Sequence, residues 1–208
     1  MRRNLLVLLV LAAGVGGWFG RQAIGEDAVG GPAGQPSPED QAKMEKLMTD
    51  LATPGEFHKM LAAQEGDWNV AVKAMDHKTH QMVDSTGTAS FKMILGGRWQ
   101  MHTYKGTFDG QPYEGVGVTG YDNLKKQFVN FWFSTHGTMA TVATGQASAD
   151  KTVLTMSGTW DMPEEMGSKM PFRMVSTKKS DKEFTFAIHG SFAGQPEALM
   201  MDMTYTRK

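Results

Sequence analysis

The sequence predicts an all-β protein whose strands close into one antiparallel up-and-down barrel of about ten strands. Three observations predict it. From Asp67 onward apolar and polar residues alternate with a period of two, the pattern of strands buried on one face. Turn signals separate these runs at Gly96-Gly97, Asp109-Gly110, Asp122-Asn123, His136-Gly137, Ala149-Asp150-Lys151, Ser180-Asp181 and Gly194-Gln195-Pro196. A sheet of this length tends to curl, and closure removes its exposed edges, so a barrel is favoured over a sandwich.

The chain begins with an export signal or an anchor. Arg2 and Arg3 precede an uncharged run over residues 5–19. That run is shorter than the ~20 residues of a spanning helix and suits a signal peptide. Ala23 and Gly25 are the small residues a cleavage site before Glu26 requires. The other reading is an uncleaved anchor with the arginines inside. Residues 1–25 are therefore signal or anchor, and 26–37, rich in Gly and Pro, a flexible linker. Export places the domain in the periplasm or outside the cell.

Residues 38–66 read as one or two short helices. Ser37 can cap, Pro38 suits the first position, and Met44, Leu47, Met48 and Leu51 form one stripe. Thr53-Pro54-Gly55 stops that helix, and a second carries Phe57, Met60 and Leu61 on one face. Residues 67–208 form the barrel. Its clearest alternations are Trp68-Val70-Val72, Phe91-Met93-Leu95, Phe184-Phe186-Ile188 and Leu199-Met201-Met203-Tyr205.

Composition narrows the function. Hydrophobic residues are 40% of the chain, enough for a core. Lys+Arg is 21 and Asp+Glu 22, so no basic surplus awaits a nucleic acid. With no cysteine there is no thiolate nucleophile or Cys-held metal.

Two features resemble the lipocalin-like superfamily. Gly66-Asp67-Trp68 matches the Gly-x-Trp that opens the first strand there, and Arg207 ends the last strand. The resemblance implies that the arginine lies across Trp68 and closes one end. From Pro54 to Lys208 the chain more closely resembles the bacterial family called domain of unknown function 1579. The matching stretches are Pro54-Gly55-Glu56-Phe57-His58, Gly66-Asp67-Trp68, Leu95-Gly96-Gly97-Arg98-Trp99, Glu114-Gly115, Gly120-Tyr121-Asp122-Asn123, Trp132, Gly137-Thr138-Met139 and Thr204-Tyr205-Thr206-Arg207. Ser134 departs from the pattern, which often has aspartate there. The resemblance implies the fold and no activity.

Local motifs add little chemistry. Gly115-Val116-Gly117-Val118-Thr119-Gly120 fits Gly-x-Gly-x-x-Gly, but alternates as a strand and precedes a turn, not a helix. It reads as a glycine-rich strand that leaves room for a large ring. Asp76, His77 and His80 sit in a polar hairpin loop and imply no metal site. Met162, Met166, Met170 and Met174 recur every fourth residue, as Cu(I) ligands or as adaptable filler, but Pro163, Gly167 and Pro171 interrupt them. His58 stands before the barrel, where helix packing explains it as well as function would, and His189 points to solvent. No histidine stands in an apolar run suited to haem, and no cofactor is implied. His136 lies at a hairpin tip beside Ser134 and Thr135, without a nucleophile elbow. His102 has two registers: outside if Trp99 and Met101 fill the barrel, inside with Tyr104 if they do not.

The expected function is binding of a small apolar or amphipathic molecule inside the barrel. Phe91, Met93, Phe184, Phe186, Met201 and Met203 are its expected lining, joined by Trp99 and Trp132. The Met162–Met170 stretch is its expected lid. The alternatives are an enzyme using His102 or His136 as acid or base, and a solid structural or interaction barrel. Nucleic acid is not expected as a partner, the membrane only through an uncleaved N-terminus, and nothing specifies an oligomer.

Overall fold

The computed structural model describes residues 36–76, 79–191 and 195–208, apart from the Met166 side chain. The predicted signal, all of the predicted linker before Pro36, His77, and Gly194 of the last turn signal lie outside the described residues. Helix α1 spans Pro38–Ala52 and helix α2 Glu56–Ala62. Ten strands follow: β1 Gly66–Met75, β2 Met82–Ile94, β3 Trp99–Phe108, β4 Gln111–Asp122, β5 Gln127–Ser134, β6 Thr141–Ala147, β7 Val153–Asp161, β8 Lys169–Lys178, β9 Glu183–Gly190 and β10 Ala198–Arg207. Each pairs antiparallel with its neighbours in sequence, and β1 pairs with β10. The sheet is thus a closed up-and-down barrel without free edges.

Ser37 Oγ accepts from the Asp40 amide at 3.2 Å and so caps α1. No residue of α1 is buried. Helix α2 closes one end of the barrel. Its entry is fixed by His58, whose Nδ1 accepts from the Gly55 amide at 3.0 Å. Burial lowers the pKa of that imidazole, which suits its role as an acceptor. Leu61 is 2% exposed, and the Phe57 ring lies 4.4 Å from that of Tyr121. Gln100 Nε2 donates to Leu61 O at 2.7 Å, a buried bond that ties the helix to β3. The β2–β3, β4–β5, β6–β7 and β8–β9 turns lie at this closed end, and the other five connections surround the opposite mouth.

Trp68 and Arg207 join the first and last strands at the closed end. They are register partners, and Arg207 Cζ lies 4.3 Å from the Trp68 ring centroid. The guanidinium also donates to Glu65 O, Ala63 O and Asp181 O at 2.5, 2.9 and 3.0 Å. One planar fork thereby holds β1, β10, the end of α2 and the β8–β9 turn. Trp68 Nε1 donates to Gln64 O at 3.0 Å, so the buried indole leaves no polar atom unmet.

Several local expectations change. Leu199 does not share the face of Met201, because β10 shifts register between them and turns Leu199 outward. Leu95 lies in the β2–β3 turn with φ 51° and is exposed. The expected Met162–Met170 lid shortens to residues 162–168. A 3-10 turn at Glu164–Met166 fills it, an Asp161–Lys169 ion pair joins its base, and Met170 is already buried in β8. Met170 and Met174 lie on one strand, about 13 Å apart along it, too far to share a metal ion. Asp76 Oδ1 accepts from Thr79 N and Oγ1 and folds its own loop.

Candidate functional site

The register fixes which side chains face the barrel axis. Ala89 pairs with Tyr104, Phe91 with His102, and Met93 with Gln100. His102 and Tyr104 therefore point inward. Trp99, expected in the lining, points outward; its ring lies over Gly120, where a Cβ would meet it at 2.6 Å. The outer seat on bare backbone and the inner bond from Gln100 to α2 set that register together. Phe91, Met93, Trp132, Phe184, Phe186, Met201 and Met203 all face inward, with Trp68 and Arg207 at the closed end.

Two apolar clusters occupy the interior. One holds Trp68, Phe91, Tyr104, Phe184, Met203 and Tyr205 among others. The second lies under α2 around Leu61, Phe128, Met156, Phe172 and Met174. Phe186 packs against both. His102, Trp132, Phe186, Ile188 and Met201 face the axis of the closed sheet, and each is only half-buried.

His102 stands among these aromatic side chains. Its ring stacks on Phe91 at 4.2 Å and 6°, with Trp132 at 5.1 Å and Tyr205 at 6.2 Å. Burial lowers its pKa from 6.5 to about 3, so the imidazole is neutral at physiological pH. Its Nε2 is covered and has no hydrogen-bond partner among the described residues. Such an atom costs about 1–3 kcal/mol until a partner reaches it. Burial likewise raises the pKa of the Tyr205 hydroxyl, which contacts Met203 Sδ at 3.6 Å. Apart from His102, and away from the closed-end rim where Lys178 and Arg207 stand, no inward position of the described strands carries Asp, Glu, Lys, Arg or a second His.

Nearer the mouth, Trp132 Nε1 donates to Tyr113 Oη at 3.0 Å. His136 sits on the rim, exposed, edge-on to Phe108 at 5.1 Å. The structure thus does not bring His136 and His102 together in ring contact: His102 touches Trp132, and His136 touches Phe108 and Tyr113. The glycine-rich strand makes room for Trp132, as its sequence suggests. A Cβ at Gly115 would lie 2.0 Å from Trp132 Cζ2, and one at Gly117 2.8 Å from Cε3. Gly115→Val should push the indole from its place and cost about 1–3 kcal/mol by overpacking. Chemical denaturation and the tryptophan emission maximum would show it, and an unchanged midpoint would contradict this packing.

Sequence reasoning missed Tyr113, Trp160, Thr119 and Asn130, which also face inward. Asn130 Nδ2 donates to Thr119 Oγ1 at 2.8 Å, and Trp160 Nε1 to Thr141 Oγ1 at 2.9 Å. The inward glycines do not mark these residues: Gly115 and Gly117 make room for Trp132, and Gly158 for Phe172.

Fold and interior define a closed ten-stranded barrel with a helical plug and a largely apolar, aromatic interior. The chain belongs to the family described as "Protein of unknown function (DUF1579)", whose model matches residues 53–207. Among solved structures, Rv2717c from M. tuberculosis is similar at TM-score 0.54 and 14% identity, over 75% of this chain and 99% of that one. That likeness is one of fold. The structure of EF1p2_mFAP2b bound to DFHBI is similar at TM-score 0.41 and 13% identity, over 74% and 100% of the two chains. A de novo designed fluorescence-activating β-barrel is similar at TM-score 0.40 and 13% identity, over 71% and 96%. No curated protein matches.

Proposed function

We propose that this is an exported carrier or sensor that binds one small, uncharged, amphipathic molecule in the hollow of its barrel. The observation that supports it most is the half-buried ring of inward side chains around His102, whose Nε2 lacks a partner among the described residues. A ligand with one hydroxyl, amide or amine group would satisfy that nitrogen after displacing a covering side chain. Its apolar body would rest against Phe91, Trp132, Phe186 and Met201. A charged ligand would meet no counter-charge there and would lose its hydration. Export rests on the sequence of residues 1–25.

The binding reading is preferred over the enzyme. General acid–base groups work best with pKa values near the working pH. His102 is far below that range, and His136 stands exposed at the rim. An environment-sensitive neutral dye should bind once per chain, and Phe186→Trp should report it by a shift in emission. His102→Phe, which fills the ring's place without a nitrogen, should weaken dyes bearing a hydrogen-bonding group about tenfold or more and leave purely apolar dyes nearly unchanged. Absence of any saturable binding would leave the solid structural barrel as the better account.

A further inference from the structure

The outer wall of the barrel is not uniform. Around β10, β1 and β2 it presents Thr204, Thr206, Asn69, Thr86 and Thr88. Across β3 to β6 the outward row reads Met101, Val118, Phe131, Val142 in direct register, with Val116 and Phe133 beside it. Val116, Phe133 and Val142 are 42%, 48% and 43% exposed. Four adjacent strands thus show water an apolar face, the mark of a surface with a partner.

A second apolar surface of the same chain is also uncovered. Helix α1 carries Met44, Leu47 and Met48 on one stripe, 58%, 51% and 50% exposed. An amphipathic helix of 15 residues draws its stability from covering that stripe. Its end is held by Asn123 of the β4–β5 turn, whose Nδ2 donates to Leu51 O and Thr53 O at 3.0 and 2.9 Å. With that anchor made, the described residues cover neither the stripe nor the wall.

We infer that the wall on β3–β6 is the seat for helix α1 of a second copy of this chain, exchanged reciprocally in a two-fold dimer. The dimensions agree: 15 helical residues run about 22 Å, and the strand from Asn123 to Val116 about 23 Å. The charges agree too. Helix α1 has four acids and two lysines, whereas the turns bordering the wall expose Arg98, Lys125 and Lys126. Two-fold symmetry makes the same contact twice, so each copy buries both of its apolar surfaces.

Sedimentation equilibrium of the purified protein tests this. The wild type is expected to be a dimer, and Leu47→Asp and Phe133→Asp each a monomer with unchanged far-ultraviolet circular dichroism. An equimolar mixture of the two variants should regain a weaker dimer, because one intact helix still meets one intact wall. Should Phe133→Asp fail to fold, Val116→Lys takes its place. A monomeric wild type at all concentrations overturns the proposal. So does a dimer that survives both substitutions, as would occur if the shared N-terminal segment held it. Wild-type binding to phosphatidylglycerol vesicles without dimerisation also overturns it, since the wall would then serve a membrane.

Discussion

Trp68→Ala is expected to lower the unfolding free energy by about 3–5 kcal/mol, the cost of emptying a large buried aromatic site. The indole is 2% exposed, packs edge-on to Phe184 at 4.9 Å and to Phe91 at 6.4 Å, and lies under the Arg207 guanidinium. Arg207→Ala removes the fork that reaches three carbonyl oxygens and should cost a further sizeable amount on its own. The two residues touch, so the double variant should lose less than the sum of the singles. Urea denaturation of all four proteins measures the coupling. Strict additivity would mean that the cation–ring contact contributes nothing to closing the barrel.

Acid should weaken the folded protein through His102. Its folded pKa is depressed from 6.5 to about 3 by burial. Above pH 6.5 the imidazole is neutral in both states and stability is unaffected by it. Between pH 6.5 and about 3 the unfolded chain binds a proton that the folded chain refuses, so stability falls as the pH falls. The loss approaches about 1.4 kcal/mol per pH unit, or about 2.5 kcal/mol between pH 7 and 4.5 after allowing for the curved onset. In His102→Phe this part of the slope should vanish. The buried His58 shifts in the same direction and leaves a smaller residual slope. Equal acid sensitivity of wild type and variant would place His102 in contact with solvent.

Much of this fold was legible because alternation is strong where one face is buried and the other polar. Strands β1 and β9 read correctly on that ground, with Val70 and Val72 against Asn69 and Lys73, and Phe184 and Phe186 against Glu183 and Thr185. Strand β3 did not, because both of its faces carry apolar groups: Trp99 and Met101 outside, His102 and Tyr104 inside. The outer apolar wall therefore hid the inner polar site, and Trp99 was assigned to the lining. Near Leu199 a bulge reversed the face, which no spacing rule foresees. The Met162–Met170 stretch, without alternation and holding Pro and Gly, reads as a lid, but Met170 belongs to a paired strand whose partner Trp160 lies on the other side of the turn. Tertiary pairing decided what local composition left open.

Native mass spectrometry of the protein purified from its source compartment tests the central claim most directly. The account predicts one retained neutral molecule per chain, lost or reduced in His102→Phe and displaced by the neutral dye in equal stoichiometry. A bare polypeptide mass under gentle ionisation, together with no saturable dye binding, would contradict it and show that the hollow around His102 holds nothing.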